Sequence, residues 1–152
     1  MENFDSGLYI DRLAYARSLL DGAGRIAFTA KDEPISTIGI PVYLLIGFSI
    51  ENSLKAFLDY KKYPHGSWLR SHDLADLTDR SLKNDLQLQD QIVKFIKNVS
   101  RYHKEFWFRY PEKAGVADVN SSPEALYATE ILFRSVFDST DAPKWAGLGR
   151  FG

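Results

Sequence analysis

The stretch Ile50-Glu51-Asn52-Ser53-Leu54-Lys55-Ala56-Phe57-Leu58 decides the fold. Ile50, Leu54, Phe57 and Leu58 share one face of a 3.6-residue period, and no glycine or proline interrupts them. Glu51 and Lys55 stand four apart with the acid first, the order that favours an ion pair along a helix. Upstream, residues 42–50 are apolar on nearly every side, as a central helix should be, and Pro41 suits a first helical turn. The spacing therefore predicts a helix over residues 39–61, buried in its first half and amphipathic from Glu51 onward.

The pattern repeats on both sides. Leu13, Ala16, Leu20, Ala23 and Ala27 make one face of a first helix over residues 8–27, with Asp5 or Ser6 as its cap. Gly22 and Gly24 weaken its second half and mark a kink or a close helix contact. Lys31-Asp32-Glu33-Pro34 reads as a loop, and Tyr63-Pro64-His65-Gly66-Ser67 as a break. Ser71 then caps a short helix carrying Leu74 and Leu77, with Asp73 near its positive end. A long helix follows over residues 86–108, with Ile92, Phe95, Ile96, Val99, His103 and Phe106 on its apolar face and Pro111 beyond its end. Residues 112–121 read as a loop. Ser122-Pro123-Glu124 opens the last helix, which uses Leu126, Thr129, Phe133, Val136 and Phe137. The tail from Pro143 has no helical period. The reading is all-α, an up-and-down bundle of four to five main helices in one domain over 1–152, with its core at 6–139 and a tail at 140–152.

Composition bounds the function. A chain of 152 residues with 45% hydrophobic content can bury a core and is too apolar for disorder. A net charge of −1 excludes a globally basic nucleic-acid binder, so any such site is a local patch. There are no cysteines, hence no disulfide framework, thiolate metal site or cysteine nucleophile. The acidic start is unlike a signal peptide, and the apolar run at 38–50 falls short of the about 20 residues that span a bilayer, so a cytoplasmic protein off the membrane is expected.

The order of a helix bearing Glu51-Asn52-Ser53-Leu54-Lys55-Ala56, a short helix at His72-Asp73-Leu74, a helix ending Arg109-Tyr110-Pro111 and a final helix resembles the HEPN superfamily over roughly residues 6–139. The resemblance implies a helical bundle, frequent homodimers, and roles in defence systems, toxin–antitoxin pairs or RNA metabolism, including partnership with a nucleotidyltransferase. Nuclease members carry an arginine followed, after four to six residues, by a histidine on a late helix. Here Arg101 and His103 are two apart, about 200° around a helix, and cannot converge on one phosphate. Arg70 and His72 have the same spacing. The nuclease assignment does not carry over.

Four sets of residues remain as candidates. His103 lies on an apolar face. Its ordinary reading is a core histidine bonded to a buried partner such as Glu51, and its sharper one a general acid or base. Lys94, Lys97, Arg101 and Lys104 step by three, four and three along one stripe that could track a phosphate backbone or be a plain solvated face. The loop with Lys61, Lys62, Trp68 and Arg70 mixes cations with aromatics, as sites for nucleotides and single strands do, although loop aromatics usually pack. Trp107, Phe108 and Tyr110 exceed what one helix face can bury and are the candidate homodimer contact. His65, His72 and His103 show no i,i+4 pairing, and neither a metal nor another cofactor is expected. The preferred function is a non-catalytic binding or interaction module with weak affinity for RNA or nucleotides. The alternative is a metal-independent ribonuclease using His103 or His72 with Arg101 or Arg70 supplied across a dimer, and with Glu51 in support.

Overall fold

The computed structural model describes residues 7–29, 35–105 and 122–148. Over these residues the chain is a bundle of α-helices, without a strand. The helices are α1 (Leu8–Thr29), α2 (Ile35–Tyr60), α3 (Leu74–Lys83), α4 (Asp90–His103), α5 (Ser122–Asp138) and the short α6 (Lys144–Gly147). A 3₁₀ turn, Ser67–Arg70, lies between α2 and α3. No helix among the described residues is long and apolar enough to cross a membrane.

The helices α1 and α2 run antiparallel. Arg12 pairs with Asp59 at 2.6 Å, and the buried Ser49 hydroxyl donates to the Ala16 carbonyl at 2.8 Å, so rising numbers on one helix meet falling numbers on the other. Leu13, Ala16, Leu20 and Ala23 form the buried face of α1. Gly22 and Gly24 do not break this helix, which continues to Thr29. The last long helix, α5, packs on both, burying Ala125, Leu132, Phe133 and Val136. Arg17 clamps α1 to α5 by reaching Glu130 at 2.6 Å while lying over the Phe133 ring.

The central helix departs from its expected amphipathic second half. From Ser53 to Leu58 every residue is buried, as is Glu51. The sequence pattern suggested a solvated face because Glu51, Ser53 and Lys55 are polar, but their groups are consumed inside the bundle. Ser53, for example, donates back to the Ser49 carbonyl at 2.9 Å. The helix also starts earlier than expected, which puts Pro41 inside it.

Four boundaries shift. The cap of α3 is Asp73, whose carboxylate accepts the Asp76 N–H at 3.1 Å, while Ser71 stands outside and accepts the Asp73 N–H at 3.0 Å. A short acceptor chained to a second one tightens the turn into the helix, and sequence alone does not rank the two. Helix α4 starts at Asp90, because Leu86 is buried at the end of a separate turn over Asp85 in the left-handed region. As far as Leu148, the tail after 140 is not loose. It forms α6, buries Ala146, and sets Gly147 so close to the Phe137 ring that a β-carbon there would meet Cε2 at 2.7 Å. Helix α4 closes at His103 with Lys104 as its C-cap, short of the expected residue 108, while the expected cap of α1, the loop at 31–34 and the loop at 112–121 lie outside the described residues.

Candidate functional site: a buried carboxylate between two histidines

One carboxylate gathers three donors from three parts of the chain. Glu51, in the middle of α2, accepts from Lys55 Nζ at 2.7 Å on Oε1. His103 Nε2, at the end of α4, reaches Oε2 at 2.8 Å. His72 Nδ1, just before α3, lies 3.0 Å from Oε2 and 3.2 Å from Oε1. Because the acceptor is a carboxylate, each ring nitrogen facing it carries the proton.

The surrounding sequence builds this seat. One turn upstream of Glu51, Gly47 leaves the space that the His103 ring fills, since a β-carbon at 47 would stand 2.3 Å from its Nδ1. Phe48 closes the wall, meeting the His103 ring edge-on at 4.8 Å and the His72 ring at 6.3 Å. Lys55 is anchored further by the Leu69 carbonyl at 2.9 Å, which ties α2 to the 3₁₀ turn. Ser100, one turn before His103, donates to Asp73 Oδ1 at 3.2 Å and accepts the Ala75 N–H at 3.0 Å. That pins the start of α3 to α4 and so fixes His72 beside His103, their ring centres 6.1 Å apart.

Exposure grades across the cluster. The His103 side chain is 1% exposed, Glu51 7% and Lys55 5%, whereas His72 is 36% exposed. Burial pushes the Glu51 carboxyl upward and is the largest single influence on it. Hydrogen bonds from His103, Lys55 and His72, with the Lys55 charge, outweigh burial together and hold it at about 2, below its ordinary 4.5. Burial likewise raises the Tyr43 hydroxyl, with the charge of Glu124 adding to it.

The candidates from the sequence separate under this geometry. His103 and Glu51 meet in the interior and His72 joins them at the rim. Arg101, two residues before His103, is exposed on the opposite side of α4, where its guanidinium lies over the Tyr102 ring. Lys94, Lys97, Arg101 and Lys104 are all exposed along α4. Lys97 approaches the exposed Asp79 of α3 at 3.3 Å.

Trp68 requires a correction. Its ring is 2% exposed, its indole N–H donates to the Pro64 carbonyl at 2.8 Å, and Tyr63 packs on its edge, so it anchors the loop and offers no face to a base. Lys61, Lys62 and Arg70 are exposed. Trp107, Phe108 and Tyr110 lie outside the described residues. An open groove of about 530 Å³ between α1 and α5, lined by Leu20, Gly24, Phe28, Leu126 and Tyr127 among others, shares no residue with the cluster.

Sequence spacing spoke against a metal because it tested only ligands on one helix. The fold brings Glu51, His72 and His103 together from three segments, with ligand atoms all within 4.8 Å of one another. Two signals pointed there: charged residues inside an otherwise apolar helix, and a histidine on an apolar face. No protein-family model, curated protein or solved structure matches the chain.

Proposed function

We propose that this chain is a non-catalytic binding module that holds a single-stranded polyanion, of the RNA class, along the exposed cationic face of α4. One observation carries the reading. Lys94, Lys97 and Arg101 on α4, with Lys104 at its C-cap, all face solvent, and the helix's other face is buried as Ile92, Phe95, Ile96 and Val99. Among the described residues only Lys97 of the four sits in an ion pair, and that pair is exposed. The HEPN resemblance supports a module of this kind, working beside a catalytic partner such as a nucleotidyltransferase. The burial of His103 supports it too, since a histidine sealed behind Gly47 and Phe48 has no route to a substrate.

The test is binding of single-stranded RNA at low and rising salt. Four neutralised phosphates give a slope of log affinity against log salt of roughly −3. Changing Lys94, Lys97, Arg101 and Lys104 together to Gln should remove most of that slope and leave the helical circular dichroism intact. Wild-type protein that binds no RNA at low salt, or a quadruple variant that binds as well, rejects the reading.

A second reading rests on His72. It is the one member of the cluster at the rim, with Glu51 behind its Nδ1, the arrangement that orients a general base. In that case the chain is a metal-independent ribonuclease, with Arg70 or Arg101 supplied across a dimer. RNA cleavage in the presence of a chelator, abolished by His72→Ala with the fold retained, would establish it in place of the first.

A further inference from the structure

We propose that Glu51, His72 and His103 form a three-ligand centre for a divalent transition-metal ion of the zinc class, entered past His72. Two imidazoles and one carboxylate are the donor set that suits zinc, cobalt and nickel. Oε2 of Glu51 stands 2.8 Å from His103 Nε2 and 3.0 Å from His72 Nδ1. Ligand atoms about 2.0–2.1 Å from a tetrahedral ion are about 3.3 Å apart, so each ring moves a few tenths of an ångström away from Oε2 while the three donor atoms, now within 4.8 Å of one another, close around the ion.

The support for such a centre is already in place. The second carboxylate oxygen is held by Lys55, itself fixed on the Leu69 carbonyl, which is how ligating carboxylates are oriented from behind. Gly47 and Phe48 fix the His103 ring, and Ser100 fixes the segment carrying His72. The gradient from a sealed His103 to a 36% exposed His72 leaves the remaining coordination position toward solvent.

On binding, the ring nitrogens facing Glu51 give their protons to water admitted past the exposed His72, each ring stays protonated at its far nitrogen, and the freed lone pairs replace two hydrogen bonds. The Lys55 ammonium on the same carboxylate opposes the ion and weakens its binding. This centre is independent of the cationic face of α4.

The experiment uses the full chain stripped of metal and titrated with Co²⁺, followed by visible absorption, with Zn²⁺ as the displacing ion. One Co²⁺ per chain with the bands of a nitrogen–oxygen site is expected, and Zn²⁺ should remove them. His72→Ala should weaken binding at least about tenfold while keeping the helical circular dichroism, because the residue is at the rim. The chain has three histidines, so His65→Ala is the matching control and should bind like wild type. Absence of a saturable cobalt band at millimolar Co²⁺ would overturn the proposal. So would unchanged binding by His72→Ala, or loss of the band in His65→Ala.

Discussion

Glu51 is the residue on which the interior of this bundle depends. A carboxylate taken out of water is costly, and its cost here is offset by the three donors that Lys55, His72 and His103 turn toward it. Removing one partner of such a buried set costs about 3–5 kcal/mol, so Glu51→Gln is expected to destabilise by that order in urea unfolding. The pH dependence has a definite sign. The folded carboxyl sits at about 2, below its ordinary 4.5, so the folded state binds the proton less readily. Its contribution is complete above 4.5 and is lost as pH falls from 4.5 to 2, on the order of 3 kcal/mol in total. Urea midpoints measured across that window should fall steeply for wild type and less steeply for Glu51→Gln. Equal slopes in the two proteins would show that Glu51 is not held as described.

At the scale of helices, two glycines with the same sequence appearance have opposite roles. Gly47 in α2 faces His103, where a β-carbon would stand 2.3 Å from Nδ1. Gly24 in α1 has no atom within 4 Å of the corresponding position. Gly24→Ala should therefore stabilise by about 1 kcal/mol through helix propensity alone. Gly47→Ala should destabilise by about 1–3 kcal/mol through overpacking, despite the same propensity gain. Thermal unfolding of the two variants checks both signs, and a stabilised Gly47→Ala would refute the packing of His103 against α2. The contrast shows where sequence reading stops. Periodicity placed the buried faces of α1 and α4 because apolar spacing is local. It read Lys55 as solvated because an i,i+4 pair looks the same in water and in the interior. It left Trp68 open between a stacking platform and a loop anchor because nothing in the loop announces the Pro64 carbonyl that holds its indole. The cluster itself was half legible: charges interrupting an apolar helix and a histidine on an apolar face were visible. The convergence of residues 51, 72 and 103 depends on Ser100 locking α3 to α4, a contact with no sequence signature.

For the molecule as a whole, electrostatics decide where a polyanion could rest. With a net charge of −1, no long-range field draws a phosphate chain to the surface, and only a local excess of cations concentrates one. The face of α4 supplies that excess, and Asp79 of α3 is its internal competitor, 3.3 Å from Lys97. Both partners are about half exposed, so the pair is worth under about 1 kcal/mol and is easily given up to a phosphate. Asp79→Asn should remove that competition and one unit of repulsion, raising RNA affinity a few-fold at low salt. The gain should vanish as salt rises, because exposed charges beyond about 10 Å are screened at 0.1 M. The same change on the quadruple Gln background should have a much smaller effect, since Lys97 is then absent. Fluorescence anisotropy with a single-stranded oligonucleotide, run as a double-mutant cycle between Asp79→Asn and Lys97→Gln, measures the coupling directly. Additive effects would place the RNA elsewhere on the molecule. A coupled gain confined to low salt would place it on α4, and would separate this face from the Glu51 cluster, where the loss of an exposed surface charge changes nothing.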